Sequence, residues 1–451
     1  MSCLPPAAEP LLKAIAPAFT KPTFKRFLTL MTGMIITMGR RSVSRALRVV
    51  WPMMEGHFSN YHRLYSKAAF SMWKLSLAMI RLMVASLPAG EAIVLIADDT
   101  VDGKEGDRVW GKGSHRDAVR SSRGRTHIKY GHKWLVMAML MRISGSLRPW
   151  ALPILAGLCR SPKFVKQWGG RPKTASQLTR QFLILMMRRF PDRQFILLGD
   201  YGVIGHQTAA FAHRHRQRVK VISRLRGDAN LYWPSQKKGR VKGGGKARKG
   251  RKRPSPAQQV QTLPVQRGRV AWYGSSRREV KYATCTGLWY DKHHGGQVTP
   301  IRWVAVGGES GEFTDYFYCS DDSVEARKII EYYAMRWNIE VTFEESRALL
   351  GLETTRHWCK QSVLRVTPLL FGLFTAVSLI WHSLSQSGCQ VMLHHTPCYT
   401  KQAMTFADAL FAVRRVIWEQ GLMRHSPAGE CLTSVPRPLR EVLLTHLSAA
   451  A

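Results

Sequence analysis

Two short apolar runs that each end on aspartate constrain this chain more than any other feature. Ile93-Val94-Leu95-Ile96-Ala97 stops at Asp98-Asp99-Thr100, and Phe195-Ile196-Leu197-Leu198 leads into Gly199-Asp200. Continuous β-branched and aliphatic runs of this length predict buried strands, here with carboxylates at their C-terminal ends. Between them lie a Gly/Lys/Arg-rich loop (103–131), two further strand candidates (133–143 and 150–155), and a helix that starts at an N-cap Thr174 and runs to Arg189. Strand, loop, two strands, helix and strand together predict an α/β core.

The flanking segments have a different texture. Residues 1–88 read as helices, with a largely apolar stretch from Phe24 to Gly39 and apolar residues at three- and four-residue spacing from Tyr65 to Leu87. Arg40, Arg41, Arg45 and Arg48 lie between them, on either a solvated or a ligand-contacting face. Residues 212–320 are strand-like and irregular, the best runs being 219–225, 269–273, 279–284 and 301–306, and read as an inserted β-rich unit. Its segment 237–253 is basic and glycine-rich without an acid, and cannot order itself by burying apolar surface. A single helical pattern returns from Ser323 to Leu350, and Thr405 to Gln420 is amphipathic.

Charge narrows the partner. The chain carries 68 Lys+Arg against 29 Asp+Glu, a formal net charge of +39 over 451 residues. Such a surface binds polyanions, with nucleic acid the leading class. Anionic membrane is the weaker reading because the basic residues spread from Lys13 to Arg440 instead of gathering beside one apolar helix. The uncharged run from Val366 to Trp381 is shorter than the ~20 residues a span requires and contains Pro368, so a buried core helix is expected. The N-terminus lacks the basic-apolar-small order of a signal peptide, and the eight cysteines show no C-x-x-C pair or zinc pattern; a reducing cytosol is the expected compartment.

In the helix predicted around Tyr333, offsets of 3, 7 and 14 at about 100° per residue place Tyr333, Arg336, Glu340 and Arg347 on one stripe. Tyr332, Ile339, Phe343 and Leu350 form an adjoining apolar stripe, and Glu331, Asn338 and Glu345 a polar face. An i, i+4 Arg/Glu pair on its own only supports an exposed helix. Brought beside the two strand-end aspartates, however, Glu340 completes a set of carboxylates that would repel one another unless hard divalent cations held them ionised. Two such ions ~3.5–4 Å apart suit phosphodiester chemistry.

These residues resemble the DDE transposases of bacterial insertion sequences, in the group marked by a Tyr-x2-Arg-x3-Glu-x6-Lys signature. Tyr333, Arg336 and Glu340 match it, with Arg347 in place of the final Lys, and Asp98-Asp99-Thr100 and Leu198-Gly199-Asp200-Tyr201 match the family's two aspartate motifs in the right order. The resemblance covers about residues 24–385. It implies an RNase H-like α/β core (89–211 and 321–385) interrupted by the β-rich insertion (212–320), with a helical N-terminal DNA-binding domain (1–88) and a helical C-terminal region (386–451).

The resemblance further implies Asp99, Asp200 and Glu340 as catalytic metal ligands for two Mg²⁺ ions, with Mn²⁺ as substitute. Asp98 competes with Asp99; consecutive strand residues face opposite ways, so only one enters the site, and Asp99 is preferred because it directly precedes Thr100. Tyr333, Arg336 and Arg347 are expected on the DNA backbone, with Lys104, Arg123 and Arg125 as further contacts from the basic loop. Trp303 or Trp272 would stack on a flipped base while a hairpin forms at the element end, or else serve as sheet core. His115, His127 and His132 are expected to be solvated or to contact phosphate. The implied activity is cut-and-paste transposition on double-stranded DNA, at terminal inverted repeats and at target, by a nucleoid-associated bacterial protein working as a homodimer, with 405–420 a candidate contact. A nuclease that cuts without joining and a catalytically silent DNA-binding descendant are the rivals.

Overall fold

The computed structural model describes residues 4–117, 120–122, 124–235, 249–273, 276–291, 297–308, 312–390, 393, 400–422 and 436–449. The chain opens with five helices: α1 (Glu9–Ile15), α2 (Lys21–Ile36), α3 (Val43–Val49), α4 (Ser59–Ser66) and α5 (Met72–Ala85). The single helix expected from Tyr65 to Leu87 is interrupted. Phe70 bridges in extended conformation to Phe19, and the Ser71 hydroxyl accepts from the Lys74 amide, so α5 has its own N-cap.

Next come β1 (Ile93–Gly103), β2 (Gly113–Arg116), β3 (Ile128–Met141), β4 (Trp150–Leu158), α6 (Pro162–Trp168), α7 (Ala175–Arg189), β5 (Phe195–Gly199), α8 (His206–Arg214) and β6 (Val219–Arg224). Thr174 caps α7 in a reciprocal box with Gln177, as its sequence suggests. The strand order β4-β3-β1-β5-β6 is antiparallel through β4, β3 and β1 and parallel through β1, β5 and β6, the arrangement of an RNase H-like core. β1 is longer than expected and runs through both aspartates, because its pairing with β3 continues from Leu95↔Met139 to Gly103↔Gly131. Its pairing with β5 ends at Ala97↔Gly199, so only on that edge is Asp98 the first residue past the ladder.

Within segment 212–320, Val219–Arg224 is the core strand β6, parallel to β5, and the remainder contributes β7 (Leu231–Pro234), β8 (Lys249–Lys252), α9 (Pro256–Gln259), β9 (Gln266–Ala271), β10 (Arg277–Asp291), β11 (Gln297–Gly307) and β12 (Phe313–Cys319). β12 pairs with β6, so these strands extend the core sheet into one twelve-stranded mixed sheet. Of the basic segment 237–253, residues 237–248 lie outside the described residues.

The helical pattern from 323 to 350 forms two helices, α10 (Ala326–Met335) and α11 (Trp337–Leu350), broken at Arg336. Around the break, hydrogen bonds span three residues (Arg336 N to Tyr333 O, Ile339 N to Arg336 O), and the Asn338 amide donates to the Met335 carbonyl at 2.9 Å, competing with the helical ladder. Asn338 is therefore buried, although helix periodicity places it on a polar face.

α12 (Lys360–Gln386) is the one helix among the described residues long and apolar enough to cross a membrane, yet most of its apolar stretch is buried inside the protein. It packs on β4, α4, α11 and α13 (Phe406–Val416), and burial of Phe371 and Phe374 contributes about 1.5–3 kcal/mol each. α13 buries Phe406, Leu410, Val413 and Arg414 against α12, α2 and α14 (Arg437–Ser448), so the 405–420 segment makes intramolecular packing here. Arg414 reaches the Ile35 carbonyl at 2.7 Å and that of Thr37 at 3.2 Å, joining α13 to the end of α2.

Candidate active site

Strand register assembles the first part of the site. Ala97, Gly199 and Ser223 occupy one row across β1, β5 and β6, so the next residues along these parallel strands, Asp98, Asp200 and Arg224, form a second row on the opposite face. That face carries α10 and α11. It is identified by Phe317, which pairs with Arg224 in β12 and stacks on Tyr333 of α10 at 4.1 Å. Gly199 is required behind the row, since a Cβ there would lie 2.8 Å from the Ala97 carbonyl oxygen and 2.6 Å from Ile204. The turn that follows is held by the Val203 and Ile204 amides donating to the Asp200 carbonyl, while the Asp200 carboxylate accepts from the Tyr201 amide at 2.8 Å.

α11 supplies the second part. Arg336, at its N-terminal junction, donates from Nη1 to Asp98 Oδ2 at 3.2 Å and from Nη2 to Glu340 Oε1 at 2.5 Å. One guanidinium, itself 12% exposed, thus bridges a carboxylate of its own helix to one 238 residues away from it in sequence. Further along α11, Arg347 bonds Thr100 Oγ1 and, at 2.8 Å, Glu353, which also accepts from Lys129 at 3.0 Å. Thr100 lies two residues beyond Asp98 and shares its face, so the Arg336-Glu340-Arg347 stripe runs along β1.

Electrostatics follow from this packing. Burial pushes the Asp98 carboxyl up to about 7; Arg336 and the Asp99 amide oppose the rise, and the charges of Asp99 and Glu340 reinforce it. For Arg336, burial disfavours the charge, but Tyr333, Asp98 and Glu340 outweigh it and raise the pKa. The Tyr333 hydroxyl is raised by burial; Arg336 opposes and Asp200 adds to the shift.

The structure separates Asp99 from this cluster. Its carboxylate pairs with Lys133 at 2.6 Å, and its row continues through Leu135 and Gly157 to the α7 side chains Phe182 and Leu178. Asp99 therefore faces the α7 side of the sheet and Asp98 the α11 side.

Several expected DNA contacts also lie elsewhere. Lys104 is buried in an ion pair with Asp102 at 2.9 Å, because Asp102 points into the core, where Thr367 also donates to it at 2.6 Å. Trp303 is fully buried and pairs with Tyr318 in β12, next to the Phe317 that faces Tyr333, so it points away from α10 and cannot stack on a base as placed. Tyr333 is 4% exposed, its ring against Phe317 and 5.6 Å from the Arg336 guanidinium carbon. His132 is fully buried with Nε2 2.8 Å from the Trp110 carbonyl oxygen, and Arg41 is buried as well. Arg125 is exposed, and Arg123 lies outside the described residues.

Two features escaped the sequence reading. Arg224 ends β6 in the carboxylate row and pairs with Asp315; only strand register could have located it. Tyr273 and Trp337, 36% and 41% exposed, meet at 5.9 Å. Tyr273 interacts electrostatically with Arg336, Asp315, Arg224 and Glu340, which puts an exposed aromatic pair beside the cluster. Trp337, directly after Arg336, was the available signal.

No three His, Cys, Asp or Glu side chains among the described residues converge closely enough to enclose an ion. The donor chemistry nevertheless fits a hard cation: Asp98, Asp200 and Glu340 offer carboxylate oxygens on one face, and two of them already share a positive group.

This chain resembles a cryo-EM structure of a piggyBac transposase synaptic complex with hairpin DNA, with 11% identity and a TM-score of 0.44, covering 98% of this chain and 81% of that one. No curated protein matches it. A family profile described as DDE superfamily endonuclease matches residues 14–279, which takes in the helical N-terminus and both aspartate-bearing strands and stops short of α11. With more than half of its length matched, the chain belongs to the DDE superfamily endonuclease family.

Proposed function

We propose that this protein is a DNA transposase that cuts an insertion sequence at its ends and joins the freed ends to target DNA. The observation that carries the reading is the Asp98-Arg336-Glu340 bridge beside Asp200, an acidic cluster on one sheet face of a chain with net charge +39. Asp98 takes the role assigned to Asp99 on sequence grounds, because its carboxylate shares a face with Asp200 and a partner with Glu340.

Asp98, Asp200 and Glu340 would hold divalent cations, two Mg²⁺ or Mn²⁺ by the resemblance, whose chemistry is to activate an attacking oxygen and stabilise the leaving one. Arg224, Arg336 and Arg347 provide guanidinium groups along the cluster for backbone phosphates, which fix the strand without reading its sequence. Tyr273 and Trp337 take over from Trp303 as the pair for an unpaired base at a hairpin end, since they are exposed and border the cluster. Terminal repeats and target are double-stranded DNA, and pairing two ends would call for a homodimer on DNA, in the bacterial nucleoid.

The test is cleavage of a labelled duplex carrying the element's own end, with Mg²⁺, by the unaltered protein, Asp98→Asn and Glu340→Gln. Loss of cutting in both variants with DNA binding retained supports the reading, and hairpin or joined products separate a transposase from a hydrolysing nuclease. Binding without cutting by the unaltered protein would identify a silent DNA-binding descendant.

A further inference from the structure

Arg336 is the positive group that joins Asp98 to Glu340. Its two Nη atoms satisfy Asp98 and Glu340 at 3.2 and 2.5 Å, while its buried Nε has no hydrogen-bond partner. It is also the junction residue between α10 and α11, where the backbone ladder is already interrupted. A cation bound by Asp98 and Glu340 would draw on the same two carboxylates and place like charge beside the guanidinium.

We propose that Arg336 is a two-position residue that makes cation loading and DNA-phosphate binding depend on each other. This rests on the reading that Asp98, Asp200 and Glu340 hold divalent ions. Without cation, the guanidinium is the counter-charge that keeps Asp98 and Glu340 together. With cation bound, it is expelled from the carboxylates while still largely buried, and a guanidinium in that setting requires a new anionic acceptor. The anion that its planar fork matches is a backbone phosphate lying along the cluster, and rotation about the Arg336 side-chain torsions re-aims the guanidinium while the helical backbone at the junction stays as it is. Arg224, in the same row, pairs instead with Asp315 of β12.

Linkage then sets the behaviour. If cation binding frees Arg336 for phosphate, DNA must tighten cation binding by the same factor, with a coupling of about 5–150-fold typical of such pairs. The carboxylates are held closed by their own positive residue until cation and DNA arrive together.

The experiment is Mn²⁺ binding to the full chain, followed by electron paramagnetic resonance at constant ionic strength, with and without a short duplex. The duplex is expected to lower the Mn²⁺ dissociation constant at least about fivefold, and Mn²⁺ to tighten duplex binding by the same factor. Arg336→Gln is expected to bind Mn²⁺ more tightly than the unaltered protein without DNA and to show coupling near onefold. Mn²⁺ bound by the unaltered protein with an affinity that DNA leaves unchanged would overturn the proposal, whether or not the variant folds. Equal coupling in the variant would overturn it as well. Absence of Mn²⁺ binding by the unaltered protein, matched by Glu340→Gln, would instead remove the divalent-ion reading on which it stands.

Discussion

Asp98 and Asp99 are adjacent in one strand and serve opposite faces of the sheet: Asp98 bonds Arg336 at 3.2 Å on the α11 side, and Asp99 bonds Lys133 at 2.6 Å on the α7 side. The pair is therefore an internal control for the proposed chemistry. Asp98→Asn is expected to lower strand cleavage by about 10²–10³-fold or more, the range for removing one group that stabilises developing charge. Asp99→Asn should leave cleavage within about tenfold and cost about 0–1 kcal/mol for a partly exposed ion pair. Single-turnover cleavage and urea denaturation on both variants check this; the reverse ranking would restore Asp99 as the site residue.

Trp303 and Trp337 should part in the same way. Trp303→Ala empties a fully buried position in β11 and is expected to cost about 3–5 kcal/mol. Trp337→Ala, at a 41% exposed position, should leave the unfolding midpoint nearly unchanged. It should weaken binding to a duplex with an unpaired base by about 1–3 kcal/mol relative to a fully paired one. Fluorescence anisotropy with the two duplexes gives the comparison.

Lys104 tests whether a basic residue in a DNA-binding chain can be purely structural. Its partner Asp102 has a side chain 1% exposed, so Lys104→Met strands a buried carboxylate and should cost about 3–5 kcal/mol. The salt dependence of DNA binding should not change, because no phosphate contact is lost. A shallower salt slope in the variant would show that Lys104 reaches DNA.

Acid should unfold this protein through its buried histidines before its carboxylates. Burial, with Lys104 and His132 nearby, lowers His357 to about 3, and burial also lowers His132. Between that value and the ordinary 6.5 the unfolded chain binds the extra proton, so stability present above pH 6.5 falls as pH drops, by about 1.4 kcal/mol per pH unit per such group. Asp98, raised to about 7, works in the opposite sense over the same window, so the informative quantity is the difference between the unaltered protein and His357→Phe. The unaltered protein's urea midpoint should fall more steeply between pH 6.5 and 5; parallel curves would place the titration elsewhere.

How much of this was legible before the tertiary structure depends on the range of the interactions involved. The buried strands 93–97 and 195–198, the Thr174 cap and the Tyr333-Arg336-Glu340 spacing all lie within a few residues of sequence, where side-chain periodicity and backbone hydrogen bonding decide, and they place the α/β core and its acidic residues. The break at Arg336 was hidden because it depends on where the Asn338 amide turns, a choice that helix periodicity does not record. The extension of β1 through its aspartates was equally hidden, since it is pairing with β3, 36 positions away at Asp99↔Leu135, that keeps the strand extended.

The face that each aspartate serves belongs to the tertiary structure alone. Alternation along β1 requires that Asp98 and Asp99 point apart, but only the register of β1 on β5 and the side on which α11 packs decide which of them meets Glu340. The same holds for Lys104 and Trp303, whose residue types suggested DNA contacts and whose positions put them in the core. The chemical inventory, carboxylates after apolar strands and an Arg-Glu helix in a strongly basic chain, is written in the order of the residues, because these are properties of near neighbours. Which members of that inventory share one side of the sheet was decided by long-range pairing, because side-chain direction in a strand reverses with every residue and a single step of register exchanges the two faces.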